Sequence, residues 1–364
     1  MPRLLLLDCD YHEETMLAAA RKLLDEYGLD AAGKTVLLKP NMLGAWKPEA
    51  GVTTHPSLVR AMRVALEEQG ARVQVGDNPG LAGYGAIERC GRRTGLAEAA
   101  GDGFLNMARD WERVPLRSRF CDSTIISRAV LEADLLVNLP KFKTHMGMVF
   151  TGAIKNSFGF IVGAEKARMH TLAPRPSDFG ELLLDIYLVR PPDLVIMDAG
   201  TVMEGNGPSG GTLRQVGKLM AGVDGVALDA LAAHMMAVDP HRIPALRAAE
   251  SRGLGPLELN SLQVEGPFEI IPRFKLPMSL ASSRLAGILQ HAGFSFIARP
   301  RLKADPRLCN SCGVCEKHCP VNAIELRQRP VFNRSACIGC YCCYELCPEH
   351  ALKPRSVFAM LRPL

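Results

Sequence analysis

The chain has 364 residues, 48% of them hydrophobic and 22% charged, the balance of a folded globular protein with room for two or three domains. A net charge of +5 favours anionic partners. Aromatics make up only 6%, and no Lys/Arg block is interleaved with them, so a dedicated nucleic-acid surface is not expected. No apolar run approaches the roughly 20 residues that cross a bilayer, and Leu4–Leu7 is too short for a signal-peptide core. The expectation is a soluble, cytoplasmic protein with no membrane partner.

Leu4–Leu7 predicts a first strand. Met16, Leu17, Ala20, Leu23, Leu24 and Tyr27 then recur at helical spacing, with Gly28 placed to end the helix. Thr35–Leu38 predicts a second strand, followed by a polar loop from Lys39 to Thr54. Pro56 suits the first turn of a helix carrying Val59, Met62, Ala65 and Leu66, and Arg72–Val75 follows as a strand. Further strands are predicted at Asp134–Leu139 and Leu194–Met197, with helices around Gly180–Val189 and Val226–Val238. Strands separated by helical crossovers imply an α/β fold with a mostly parallel sheet and helices on both faces. That domain is assigned to residues 1–265. Residues 266–304, with a short helical run at Leu280–Gln290, read as a connector, and 305–364 as a small α+β module.

Nine of the twelve cysteines lie between residues 309 and 347, a concentration that points to metal binding in a reducing compartment. Cys309, Cys312, Cys315 and Cys319 precede Pro320; Cys337, Cys340, Cys343 and Cys347 precede Pro348. Both runs fit C-x2-C-x2-C-x3-C-P, in which the fourth cysteine of each run ligates the other cluster. One 4Fe-4S cluster would take Cys309, Cys312, Cys315 and Cys347, the other Cys337, Cys340, Cys343 and Cys319. Zinc sites use different spacings. Cys342 is surplus; it reads as a bystander ahead of an alternative ligand. Cys9, Cys90 and Cys121 read as small buried hydrophobes. The module resembles the two-fold repeat of bacterial two-cluster ferredoxins.

Polar clusters follow the predicted strands, where ligands bind in open α/β sheets. They include Lys39-Pro40-Asn41, Gly76-Asp77-Asn78, Pro140-Lys141-Phe142-Lys143-Thr144-His145, Asp198-Ala199-Gly200 and Glu204-Gly205-Asn206-Gly207-Pro208. With Thr151-Gly152-Ala153-Ile154-Lys155-Asn156-Ser157-Phe158-Gly159, Asp224 and Asp229-Ala230, these motifs resemble the domain-of-unknown-function 362 family over roughly residues 35–255. Members of that family often carry a C-terminal ferredoxin module. The resemblance implies an iron–sulfur protein with a redox role and supplies no agreed reaction.

The residues themselves offer a cationic pocket for a carboxylate or phosphate, from Lys39, Lys141, Lys143 and Lys155, with Asn41 and Asn156 beside it. His145 or Lys155 could supply a proton, with His170 a weaker candidate. Asp198 and Glu204 could orient a substrate, relay protons or bind a metal, and Gly205–Gly211 could cradle an anion. Each has a plainer reading: solvated lysines, a structural histidine, a turn-capping aspartate. No P-loop is present, and Gly83-Tyr84-Gly85 opens no dinucleotide fingerprint. Flavin stays open without a motif to support it. Two functions compete. One is a ferredoxin-dependent reductase that takes electrons from a low-potential donor, such as a ferredoxin or flavodoxin, and reduces a small anionic substrate. The other is an electron carrier or adaptor with no chemistry of its own; a redox sensor is a third and weaker reading.

Overall fold

The computed structural model describes residues 1–80, 86–278 and 301–355. The run at Leu280–Gln290 and the Gly83–Gly85 stretch lie outside the described residues. Among the described residues eleven strands precede the cysteine module: β1 (Arg3–Asp8), β2 (Thr35–Pro40), β3 (Arg72–Val75), β4 (Trp111–Pro115), β5 (Ser123–Ser127), β6 (Leu135–Leu139), β7 (Lys141–His145), β8 (Val149–Thr151), β9 (Leu194–Glu204), β10 (Thr212–Gly222) and β11 (Gln263–Glu265). Nine of them form one sheet, ordered β11-β1-β10-β9-β6-β2-β3, with β7 pairing both β9 and β8. The β2–β3, β2–β6, β6–β9, β7–β9 and β1–β11 pairs are parallel. β4 and β5 form a separate hairpin.

The strands are Val/Leu runs buried on both faces, as a covered parallel sheet requires. Val36 and Leu38 of β2 face one core with helices Glu13–Glu26 and Pro56–Glu68. Leu37, between them, faces the other with helices Pro176–Tyr187 and Gly225–Met235. The mostly parallel sheet with helices on both faces is therefore borne out. Its antiparallel part, β10 between β1 and β9, was not expected: β9 runs on to Glu204 and turns back through Gly205–Gly211. Nor was β7, whose Lys-Phe-Lys-Thr-His sequence reads as a loop yet is buried at every residue.

The cysteine module has two antiparallel pairs, β12 (Arg301–Ala304) with β15 (Leu352–Arg355) and β13 (Ile324–Leu326) with β14 (Pro330–Phe332). Its two halves repeat the backbone as well as the cysteines. Ser311 and Gly339, Gly313 and Tyr341, and Asn322 and His350 occupy equivalent places, and all six have left-handed φ, from 48° to 74°. Four of the six are not glycine, and each non-glycine residue held there costs about 1–2 kcal/mol, which the repeated loop geometry imposes in both halves.

Candidate functional site

The loops bend the eight cysteines into two quartets. Cys309, Cys312, Cys315 and Cys347 line one cavity; Cys319, Cys337, Cys340 and Cys343 line a second. Each draws three thiols from one run and one from the other. Among the described residues no three His, Cys, Asp or Glu side chains converge to hold a single ion; the thiols ring a space instead, as a cubane needs. Backbone N–H groups reach sulfur at matching places: Ala323 N donates to Cys319 Sγ and Ala351 N to Cys347 Sγ, both at 3.2 Å. Such bonds favour thiolate and tune its iron. The quartets fit iron–sulfur clusters.

A third cavity lies where the module meets the carboxyl ends of β2, β3 and β7. It measures about 610 Å³, including the part that opens to solvent, and residues of both portions line it. The α/β side is built on buried polar pairs. Lys39 Nζ lies 2.7 Å from Asp77 Oδ1, both fully buried, and Asp77 Oδ2 accepts from Met42 N. Gly159 covers this pair so closely that a Cβ there would sit 2.0 Å from Asp77 Oδ1. Asp229 accepts from Ala153 N (2.6 Å) and Ile154 N (3.0 Å), which fixes the short helix Ala153–Asn156 that carries Lys155 into the cavity. An amide chain braces its end: Asn41 Nδ2 donates to Asn156 Oδ1, Asn156 Nδ2 to Asn138 Oδ1 and Asn138 Nδ2 to Ala153 O. Asn41 Oδ1 and Asn78 Oδ1 are buried acceptors with no partner among the described residues.

From the module, the helical turn Cys342–Leu346 contributes Cys342, Glu345 and Leu346. His145 Nε2 of β7 lies 2.9 Å from Glu345 Oε1. His145 Nδ1 accepts from Gly147 N (3.1 Å) and Met148 N (3.2 Å), so the ring's proton sits on Nε2, facing the carboxylate. Tyr344 donates to Asn206 O at 2.6 Å.

Burial governs the electrostatics. It pushes His145 down to about 4, helped by the Lys155 charge, and His170, stacked on Phe179, down to about 3. It lowers Lys155, with Glu345 opposing, and brings Lys166 down to about 7. Glu345 goes the other way: burial alone would raise it, but the facing His145 ring that donates to it and the Lys155 charge hold it at about 2. Burial lifts Asp229 to about 7 against the pull of its two N–H donors. The Lys155 ammonium has no hydrogen-bond partner among the described residues and opens into the cavity.

Of the residues expected from sequence, Lys155, His145, Asn41, Asn156 and His170 meet in this cavity. Lys39 lies one layer behind, tied to Asp77. Lys141 lies elsewhere, bound to Asp198 at 2.8 Å and to Tyr11 Oη at 3.0 Å. Lys143, brought down to about 7 by burial, donates to Val52 O at 2.6 Å. Asp198 also accepts from Tyr11 Oη and His55 N; burial would raise it, and Lys141 with these donors more than reverses that. Glu204 pairs with Arg214 Nε at 3.0 Å. Neither Asp198 nor Glu204 reaches the cavity. The Gly205–Gly211 turn spends the Gly205 and Gly207 N–H groups on Lys275 O and Gly205 O and abuts Tyr344.

Sequence reading missed Lys166 and Glu345, gave Asp77 and Phe158 no role although it noted their motifs, and did not place Cys342, which lines the cavity. A signal for two of them lay in the module's own repeat. Cys342 and Glu345 stand where the first half has Val314 and Lys317, and the halves diverge where one of them meets the α/β portion.

The family described as Domain of unknown function (DUF362) matches residues 36–234, and a 4Fe-4S dicluster domain matches 301–348. A thylakoid-associated protein of Synechocystis sp. is 31% identical over 316 residues, covering 81% of this chain and 96% of that protein. Ferredoxin-1 of Rhodobacter capsulatus is 48% identical over 40 residues, 11% of this chain and 62% of that protein. The lactate racemase apoprotein of Thermoanaerobacterium thermosaccharolyticum superposes with a TM-score of 0.42 at 14% identity, over 66% of this chain and 58% of that one. Among the described residues no helix is long and apolar enough to cross a membrane. The chain belongs to the DUF362 family and carries a C-terminal ferredoxin-type 4Fe-4S module.

Proposed function

We propose that the protein is an iron–sulfur oxidoreductase that passes single electrons to a small anionic ligand seated between its α/β portion and its ferredoxin module. One observation carries this reading: Lys155, His145, Asn41 and Asn156 line a single cavity with Cys342 and Glu345, and Cys342 lies between two cysteines of one quartet. Two 4Fe-4S clusters, when bound by the quartets, supply one-electron transfer at low potential. The chain's own residues do the rest. Lys155 holds the anionic group of the ligand, since its ammonium is turned into the cavity and otherwise unpartnered. Asn41 Oδ1 and Asn78 Oδ1 accept from donor groups of the ligand, which satisfies two buried acceptors. Burial makes both ammoniums more acidic, and Lys166, brought down to about 7, can release a proton near neutral pH to balance electrons taken up by the ligand while Lys155 keeps hold of the anionic group. His145 is held neutral and positions Glu345. Tethering the donor beside the site keeps its local concentration high. Thiolate ligands suit a reducing, cytoplasmic setting.

The test starts from anaerobically purified protein, with iron and sulfide assay and mass analysis of anything released on denaturation. Small carboxylates and phosphates are then screened for reoxidation of the reduced clusters, followed by visible absorbance. Lys155→Ala is expected to slow that reoxidation by about 10²-fold or more while iron content stays unchanged. If no small molecule reoxidises the clusters and the variant still passes electrons to a partner protein at the native rate, the carrier reading replaces this one.

A further inference from the structure

β12 and β15 form a two-stranded ribbon on the module. Leu302, Ala304 and Leu352 turn toward its core. On the opposite face the register sets Lys303 directly across from Lys353 and Arg301 across from Arg355. Like charges facing each other across a strand pair destabilise it, and here both pairs are cationic, with Lys303, Lys353 and Arg355 on the groove and Arg301 bordering the other quartet's cavity. Arg307 and Arg329 extend the face, so that Lys303, Arg307, Arg329, Lys353 and Arg355 surround one open groove. Among the described residues the ion pair these five make is a 3.4 Å contact from Arg307 to Asp305. Residues 301–355 hold nine lysines and arginines against five acids, an excess that two thiolate-bound 4Fe-4S centres would offset, so the positive charge belongs to this face rather than to the module as a whole.

The groove borders one quartet and not the cavity. Pro330 lines both the groove and the space ringed by Cys309, Cys312, Cys315 and Cys347, and Cys312 is exposed. Cys342, at the interdomain cavity, lies instead between Cys340 and Cys343 of the other quartet. The module thus has an inner end against the α/β portion and an outer end that is open and positive.

We propose that this cationic ribbon face is the docking surface for an acidic one-electron carrier protein, which delivers its electron to the outer quartet. In that step the carrier is oxidised by one electron and the centre held by Cys309, Cys312, Cys315 and Cys347 is reduced by one, with no proton or bond transferred. Charge complementarity selects the partner: a carrier with an acidic rim is steered onto the groove and relieves the Lys303–Lys353 repulsion.

The test uses the anaerobically purified holoprotein and a reduced acidic 2Fe–2S ferredoxin as probe, in stopped flow. The second-order rate should fall by about tenfold or more between about 20 mM and about 500 mM salt. Lys353→Glu puts a carboxylate opposite Lys303, so this variant should melt at least as high as the native protein. It should still take electrons from the probe about tenfold more slowly at low salt, with a flatter salt dependence. Reduction by the methyl viologen radical cation should not slow. Equilibrium binding of the oxidised probe, read by calorimetry, should weaken in step. The idea is overturned if the native rate does not respond to salt, or if Lys353→Glu slows both reductants alike through a changed cluster potential. It is equally overturned if the variant loses affinity for phosphatidylglycerol vesicles while its reaction with the probe is unchanged.

Discussion

Lys39 carries its ammonium fully buried, and among the described residues Asp77 and the Pro40 carbonyl answer its charge. Burial pushes this lysine below its usual value while the carboxylate 2.7 Å away works in the opposite direction. A pair of this kind is dangerous to halve: removing one partner strands the other, at a cost of about 3–5 kcal/mol. Lys39→Met should therefore lower stability by that amount in denaturant melts, and a loss below about 1 kcal/mol would mean that Asp77 finds another partner. Lys39 was legible as an important residue because it follows a strand. Its role was not, because the sequence does not show that Gly159 closes over it. The same limit applies to Lys141 and Lys143. They alternate along a strand and look like one cationic face, yet pairing through β9 and β8 buries them against separate partners, Asp198 and Val52 O.

β7 and the Cys342–Leu346 turn meet through His145 and Glu345, and this contact gives the interface a pH dependence. The His145 ring titrates at about 4 when folded against its ordinary 6.5. Between those values the unfolded chain takes up a proton that the folded chain refuses. Its contribution is thus complete above about pH 6.5 and is lost as pH falls toward 4. Glu345, held at about 2 against an ordinary 4.5, loses its contribution in the next window down. Both groups make acid weaken the docking. His145→Asn, which can still accept from Gly147 N and Met148 N, should flatten the rise of melting temperature between about pH 4 and pH 6.5. An unchanged slope in calorimetry would assign it to other groups. The helices and parallel strands were legible because their apolar periods are strong. β7 was not, because Phe142 is its only apolar residue and its burial comes entirely from neighbours distant in sequence. Glu345 was hidden for a similar reason: inside a ferredoxin repeat it looks like one more surface acid.

For the molecule as a whole, the cysteine runs were the most legible feature, since thiolate spacing is a local constraint that the chain states outright. The crossing of the two runs between the quartets also makes the module indivisible. Cys347 closes the first quartet from within the second run, and Cys319 closes the second from within the first. Cys343→Ala should lower iron from about eight toward about four per chain. It should also broaden the melting of the whole module, because the damaged quartet includes Cys319 of the other half. Iron that stays near the native count would show Cys342, the adjacent thiol, stepping in as a ligand.

The interdomain cavity has one more consequence. Its walls come from both portions, so the ligand proposed for it would tie the module to the α/β portion. Cargo bound only in the closed arrangement adds RT ln(1 + [L]/Kd) to closure, about 2.7 kcal/mol at a hundredfold excess over Kd. Amide hydrogens of Cys342–Leu346 should then exchange more slowly when the cavity is filled, while those of the remote Glu13–Glu26 helix keep their rate.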